Sequence, residues 1–184
     1  MTESEFLEAV LTNANNAAIL ARLPELGVRD CWLVSGALFQ TVWNLRTDRA
    51  PTHGIRDYDI FYFDSDTRPE TEAAAAGRAR ALFADLPATV ELRNQARVHL
   101  WYEEKFGTPY PPLARSMEAI DRFLSRNSQV GLNAVGEVYA PQGLADVTRM
   151  IVRPNRTANF SEIHFREKAR RWQSLWPEIS VLEQ

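Results

Sequence analysis

The stretch RDYDIFYFD, residues 56–64, sets two aspartates among bulky aromatic and β-branched residues. This composition is typical of a β-strand. Because side chains of a strand point to alternate faces, Asp57 and Asp59 are expected to project from the same face, one pleat apart. Two carboxylates held in this way can share one or two hard divalent cations. The alternative is a pair of structural acids, with Asp57 capping a turn and Asp59 paired with an arginine.

The residues before this strand predict a helix, a short buried strand and a second helix. Thr2 and Glu5 match a capping box at the start of the first helix, whose apolar residues recur at helical spacing until Pro24 and Gly27. The buried strand covers residues 30–35. It passes through Ser35 and Gly36 into a helix over residues 37–44. Small residues at such a turn allow a ligand close to the backbone, and a helix start binds phosphate, although a plain tight turn has the same sequence.

The residues after the aspartate strand continue the alternation of helices and strands. Glu91 lies in a predicted strand whose apolar residues, Val90 and Leu92, face the other way, and an acid there is unexpected for a plain core. Asn94 and Gly107 are predicted to cap the two ends of the following helix. The predicted elements are helices at 71–86, 95–106, 116–124 and 162–176, a strand at 88–93, and a hairpin formed by 128–133 and 137–140.

Composition limits the classes of protein to which the chain can belong. Its 184 residues are 45% hydrophobic, which suits one domain with a sizeable core. The net charge of −3 argues against binding to extended DNA. The single cysteine, Cys31, excludes a disulfide framework. The acidic N-terminus is unlike a signal peptide, and no apolar run reaches the length of a membrane span, so we expect a cytoplasmic protein without membrane partners.

The order of these features resembles the nucleotidyltransferase superfamily whose best-known member is DNA polymerase β. That superfamily has a hydrophobic residue, Gly, and then Gly or Ser at a strand-to-helix turn, followed by a D-x-D or D-x-E strand and a third acid on a later strand. The corresponding residues are Val34-Ser35-Gly36-Ala37, the pair Asp57 and Asp59, and Glu91. Longer strings resemble, more narrowly, a bacterial family of nucleotidyltransferase-like proteins of unknown function. They are SGALFQTVW (35–43), DYDIFYFD (57–64), NQARVHLWYEEKFG (94–107), VYAPQGLADV (138–147) and IVRPN (151–155).

The resemblance implies an α+β (mixed α/β) fold of the polymerase β type, with a small mixed sheet flanked by helices. It implies one nucleotidyltransferase-like domain over residues 1–184, with a core at about 28–155 and helical additions at both ends. The implied reaction moves a nucleoside monophosphate from an NTP to an acceptor hydroxyl by a two-metal mechanism that uses Mg²⁺ or Mn²⁺.

The resemblance also assigns roles to residues of this chain. Catalysis and metal binding would fall to Asp57, Asp59 and Glu91, with Glu91 able to act instead as general base. Nucleotide binding would fall to Ser35, Gly36, Ala37 and Arg56. Weaker candidates for contacts to phosphate or acceptor are Asn94, Gln95, Arg97, His99 and Arg153.

One departure from the superfamily pattern keeps other functions open. Gly36 is followed by Ala37, so the hydroxyl expected after the glycine is lost, while Ser35 stands before it. A non-catalytic member that binds a nucleotide or a partner protein is therefore an alternative, and a toxin–antitoxin component is another. The acceptor could be a small molecule or an RNA end, and the sequence does not indicate the base of the NTP or the oligomeric state.

Overall fold

The computed structural model describes residues 1–183 and contains a five-stranded mixed sheet with helices packed against it. The strands are β1 (Trp32–Val34), β2 (Asp57–Tyr62), β3 (Thr89–Asn94), β4 (Gly131–Leu132), β5 (Val138–Tyr139), β6 (Ile151–Val152) and β7 (Ser180–Val181). The α-helices are α1 (Glu3–Leu11), α2 (Ala14–Arg22), α3 (Gly36–Arg46), α4 (Pro69–Leu82), α5 (Tyr102–Phe106), α6 (Ser116–Ile120), α7 (Ala145–Thr148) and α8 (Glu162–Leu175). The strand order of the sheet is β3-β2-β1-β4-β5, with β2 and β3 parallel and the other neighbours antiparallel. The predicted α+β class is confirmed.

The alternation of β2 separates the apolar core from the face that carries the acids. Tyr58, Ile60 and Tyr62 are buried among the core side chains, whereas Asp57 is exposed and Asp59 is half-buried. On β3, Leu92 joins the same core as Ile60. Burial of one face therefore fixes the register of β2 and places its aspartates on the other face, as the sequence predicts.

The N-terminal helical region is divided in two, where the sequence predicts a continuous helix. The capping box of Thr2 and Glu5 is present at the start of α1. Asn13 interrupts the helix with an extended backbone, and its side chain accepts a hydrogen bond from the amide of Asn15 to start α2. The same side chain donates to Thr41 Oγ1 at 3.0 Å and to Tyr58 Oη at 3.2 Å. This buried polar network explains the break, because Asn favours caps over helix interiors.

The last long helix, α8, closes the core over α3. Phe165, Ala169 and Trp172 are its buried residues, and the Trp172 ring lies edge-on to Phe39 of α3 at 5.2 Å. Ser161 caps the helix by accepting from the amide of His164, as predicted. The packing of Trp172 on Phe39 therefore fixes the position of α8 relative to α3.

The loop between α3 and β2 packs against the C-terminal segment. Gly54 has a positive φ of 70°, and a Cβ built there would lie 2.7 Å from the Trp176 ring. Arg49 forms an ion pair with Glu178 at 2.8 Å. The close approach of Gly54 explains why this residue carries no side chain.

Several predicted boundaries differ from those observed. The predicted helix over 95–106 consists of a 3₁₀ helix, Gln95–Leu100, followed by α5, with Gly107 in the left-handed conformation at its end as predicted. The helices α4 and α6 end earlier than predicted. At the start of each, the side chain of the N-cap residue makes no capping hydrogen bond. The predicted hairpin is present as β4 and β5. Within residues 1–183, no helix is long and apolar enough to cross a membrane.

Candidate active site

Three carboxylates lie on one face of the two parallel strands β2 and β3. Asp59 and Glu91 are direct register partners, and Asp57 lies two residues before Asp59 on the same face. We call these residues, Asp57, Asp59 and Glu91, the acidic face. The structure thus brings together the three acids that the sequence predicts to act together.

Asp59 of the acidic face has a raised pKa. Burial first, and then the charges of Asp57 and Glu91, raise the pKa of its carboxyl to about 7, against the opposing effect of Lys168 and Arg93. Crowded carboxylates hold protons because a second negative charge in a partly dry site is unfavourable. A cation placed at the acidic face would remove that cost.

Basic side chains border the acidic face from two directions. Arg93 lies two residues beyond Glu91 on β3 and forms an ion pair with it at 3.1 Å. Lys168 reaches from α8. Its side chain remains open to solvent, yet the surrounding protein lowers its pKa by desolvation, while Asp59 and Asp57 raise it. Lys168 therefore stands in a concave site beside the carboxylates.

A second basic pair lies near Asp57. Burial lowers the pKa of Arg171, the neighbouring charge of Arg56 lowers it further, and Asp57 opposes both effects. The predicted nucleotide-binding residue Arg56 is thus part of a positive region at the Asp57 end of β2.

Sequence reasoning missed Lys168 as a residue of the site. The predicted helix over 162–176 contains Lys168, but the site residues proposed from sequence do not include it. A signal was available, because Lys168 is one of two lysines among 21 basic residues. Its proximity to Asp59 depends on how α8 packs, which local sequence does not reveal.

The acidic face is not a preformed metal cage. Within residues 1–183, no three His, Cys, Asp or Glu side chains are grouped closely enough to hold a metal ion. One reason is visible in the contacts of Glu91, whose carboxylate is turned toward Arg93. Both partners of this ion pair are well exposed, at 41% and 55%. Such a pair contributes only about 0–1 kcal/mol, so Glu91 can leave it at little cost.

The strand-to-helix turn has an unusual backbone at Ser35. Ser35 adopts φ 54° and ψ −114°, a conformation that is costly for any residue except glycine. Gly36 is already the first residue of α3, and Ala37 is buried in the core. The strained backbone therefore falls on Ser35, the residue before the glycine, and the hydroxyl that Ala37 lacks would stand at the second residue of α3.

The turn leaves a hydroxyl and two backbone amides without partners in α3. The Ser35 side chain makes no capping hydrogen bond to α3. The first amides of a helix have no acceptor within it, which leaves those of Gly36 and Ala37 without an intrahelical partner. Val34 pairs with Asp59 across antiparallel strands, so the turn that follows lies beside the Asp57 end of β2.

The weaker substrate candidates have mostly structural contacts. Asn94 is fully buried and caps the 3₁₀ helix by accepting from the amide of Ala96. Arg97 pairs with Glu72 at 2.8 Å, and Arg153 pairs with Asp146 at 3.2 Å. For His99, the buried Nδ1 finds no hydrogen-bond partner within the described residues.

Gln95 differs from these candidates because it lines an open groove of about 940 Å³. The groove adjoins the acidic face through Phe61, Arg93 and Lys168. We call this cleft the aromatic groove, after the six rings in its wall. They belong to Phe61, Trp101, Tyr102, Phe106, Tyr110 and Phe123.

Comparisons with known proteins identify the family and the fold. A family model described as "Nucleotidyltransferase" matches residues 21–181. The chain is similar to a protein whose NMR structure is described as revealing a CCA-adding enzyme head domain. The TM-score is 0.80 at 27% identity, over 98% of this chain and 96% of that one. A weaker similarity, with a TM-score of 0.42 and 19% identity, links 85% of this chain to 36% of the Bacillus stearothermophilus CCA-adding enzyme in complex with CTP. A search of curated proteins finds no significant match.

Proposed function

Because the chain belongs to a nucleotidyltransferase family, we propose that it transfers a nucleoside monophosphate from an NTP to an acceptor hydroxyl at the acidic face. The observation that carries this proposal is the pairing of Asp59 with Glu91 across parallel strands, with Asp57 on the same face. This arrangement places three carboxylates, which can bind a metal ion, beside the start of a helix, which can bind phosphate. Both features suit phosphoryl transfer.

The triphosphate would bind at the Asp57 end of β2. There, the amides of Gly36 and Ala37 at the start of α3 can donate to phosphate oxygens. The Ser35 hydroxyl adds a further donor. Arg56 and Arg171 supply positive charge at the same end of the strand. A cluster of donors and cations holds the reacting phosphorus in position before the reaction starts.

The acidic face suits Mg²⁺ or Mn²⁺ in its donor chemistry. Carboxylate oxygens are the ligands that Mg²⁺ prefers, and Asp57, Asp59 and Glu91 would hold it. The pKa of Asp59 is raised first by burial and then by the charges of Asp57 and Glu91, and a bound divalent cation would offset both effects. When bound, the cation neutralises the charge of the phosphates and lowers the pKa of the attacking hydroxyl.

The proposed transfer is one displacement at the α-phosphorus. The acceptor oxygen forms a bond to phosphorus while the bond from phosphorus to the pyrophosphate oxygen breaks, and pyrophosphate leaves with that electron pair. The hydroxyl proton goes to Glu91 where its carboxylate leaves Arg93 and does not hold the cation, and otherwise to solvent. Lys168 stands beside Asp59 and offsets the charge that the carboxylates and phosphates bring together. Fixed charges of this kind usually provide the largest part of such catalysis.

A transfer assay with labelled nucleotides tests the proposal. The protein is incubated with Mg²⁺, each of the four α-labelled NTPs, and either a metabolite extract or an RNA extract, and labelled products are identified by mass spectrometry. We expect a labelled product from at least one pair, and a loss of at least 100-fold in the Asp59→Asn variant. The exposed substitution Arg80→Gln, on α4, serves as the control that retains activity.

A non-catalytic nucleotide-binding role is the second candidate, and the ion pair of Glu91 with Arg93 favours it. If that pair persists when nucleotide binds, the third carboxylate is unavailable. This candidate predicts Mg²⁺-dependent NTP binding by calorimetry without any labelled product in either extract. Steady release of pyrophosphate in the presence of an acceptor would contradict it.

A further inference from the structure

We propose that the aromatic groove is the acceptor subsite, and that it recognises an acceptor with a planar unsaturated ring next to an anionic group. A nucleotide has this chemistry, whether it is free or stands at the end of a single strand. The inference rests on the proposed function, since it names the substrate class of the same site.

The position of the groove separates it from the triphosphate end of the site. β1 and β2 are antiparallel, with Val34 opposite Asp59 and Trp32 opposite Phe61. The turn at Ser35 therefore lies toward Asp57, whereas Phe61 lies two residues beyond Asp59 in the opposite direction. Two strand residues span about 6.5 Å. The carboxylates thus stand between the two, where an acceptor hydroxyl has to meet the α-phosphorus.

The wall of the groove offers rings for stacking. Phe61 stacks on Phe123 with centroids 5.6 Å apart, which places this pair next to the acidic face. Farther along, Trp101, Tyr102 and Phe106 are all half-buried. Rings that are half-buried against protein keep a surface on which a planar ligand can stack, and a stacked base contributes about 1–3 kcal/mol.

The cations of the groove are available for an anionic ligand. Lys105 lies 5.2 Å from the Phe106 centroid and Arg122 lies 5.0 Å from the Tyr110 centroid. Within residues 1–183, neither of them nor Lys168 forms an ion pair. One of the three carboxylates of the groove is paired with an arginine, Glu72 with Arg97, whereas Glu167 lies 3.3 Å from His164, which is charged only when protonated. The three unpaired cations therefore outnumber the two remaining carboxylates, Glu104 and Glu167.

The size of the groove also suits a ligand with more than one group. Its volume of about 940 Å³ lies near the upper end of the range of roughly 300–1,000 Å³ for small-molecule sites. A simple phosphorylated alcohol would leave the rings uncovered. A nucleotide can cover a ring and place its phosphate on a lysine or arginine at the same time.

Titration of the full chain with three probes tests the inference without any NTP. The probes are AMP, phenyl phosphate and glucose 6-phosphate, which share a phosphate and differ in whether they have a planar ring. We expect AMP and phenyl phosphate to bind at least ten times more tightly than glucose 6-phosphate by calorimetry. Both should shift the NMR signal of the Trp101 indole N–H. If a trinucleotide binds more tightly than AMP, the acceptor is the end of a single strand. If the two bind equally, the acceptor is a free nucleotide.

Substitutions in the groove complete the test. Arg122→Gln should weaken AMP binding at least fivefold, whereas the matched variant Arg80→Gln on α4 should leave it unchanged. Equal affinity for all three probes, an unshifted Trp101 signal, or unchanged binding in Arg122→Gln would each overturn the inference. Binding of AMP in the groove together with no nucleotidyl transfer would keep the inference and contradict the proposed reaction, so the two failures are distinguishable.

Discussion

Asp59 and Glu91 face each other as direct partners across the parallel strands β2 and β3. The pairing sets two carboxylates side by side on the face that is not buried in the core, and burial together with its acidic neighbours raises the pKa of Asp59 to about 7. A protein keeps such an arrangement at a cost in stability, which is the usual mark of a functional site. The consequences can be measured in the protein free of metal.

Replacing Asp59 with Asn should stabilise the metal-free protein above pH 7. The folded state holds the proton of Asp59 up to about pH 7, whereas the unfolded chain releases it near pH 4. Stability contributed by this group is therefore lost as pH rises from about 4 to 7. Since Asp59 is partly accessible to solvent, we expect Asp59→Asn to gain about 1–2 kcal/mol at pH 8 and nothing at pH 4. Urea unfolding at the two pH values measures this difference, and an equal effect at both would refute it.

Binding of Mg²⁺ should strengthen as pH rises through about 7. The proposed ligand Asp59 must lose its proton to bind a cation, so protons and Mg²⁺ compete for it. We expect about a tenfold weaker affinity at pH 6 than at pH 8 by calorimetry, with proton release at the lower pH. The variant Asp59→Asn should bind weakly and show little dependence on pH. An affinity in the native chain that is flat across this range would argue against Asp59 as a ligand.

Asn94 should prove important for stability and not for substrate binding. It is fully buried, accepts hydrogen bonds from the amides of Asp64 and Ala96, and donates to the Asp64 carbonyl at 2.8 Å. Asn94→Ala leaves these groups without partners, and we expect a loss of about 2–4 kcal/mol in urea unfolding.

The substitution Asn94→Asp provides the matched comparison for this residue. It keeps the acceptor oxygen, loses the donor and places a carboxylate in a fully buried position, so it should lose at least as much stability as the alanine variant. At urea concentrations too low to unfold them, both variants should bind NTP with unchanged affinity. A change in affinity with unaltered stability would instead assign Asn94 to the site.

Two substitutions at Ser35 should separate the role of its backbone from that of its hydroxyl. Ser35→Gly removes the hydroxyl and relieves the strained backbone, so we expect a gain of about 1 kcal/mol or more. Ser35→Ala removes the hydroxyl and keeps the strain, so its stability should stay near that of the wild type. If the hydroxyl contacts phosphate, both variants should bind NTP about three- to tenfold more weakly. If binding is unchanged in both, the hydroxyl has no contact with the nucleotide.

Sequence predicts the parts of the candidate site that depend on the alternation of buried and exposed side chains along a strand. The DYDIFY residues predict a strand, and burial of Tyr58 and Ile60 then decides which way Asp57 and Asp59 face. Glu91 follows from the same reasoning on β3. The strain at Ser35 is not visible in sequence, because serine and glycine are both common in turns.

Contacts between distant elements could not be predicted in this way. Lys168 lies near enough to Asp59 to affect its pKa because Trp172 packs against Phe39, and neither aromatic residue indicates its partner in the sequence. The aromatic string 101–106 is equally compatible with an ordinary packed helix. Its rings form a groove because the polypeptide passes through a 3₁₀ helix and turns at Trp101 before α5 begins.

The packing of α8 also determines when the site is completed during synthesis. The N-terminal part of a chain emerges first from the ribosome, so β2 and β3 emerge long before Lys168 and Trp172. The charge that offsets the acidic face arrives only with the last long helix, which also covers the rings of Phe39 and Trp43. A nascent or truncated chain therefore carries the three acids without their lysine, and we expect it to be inactive.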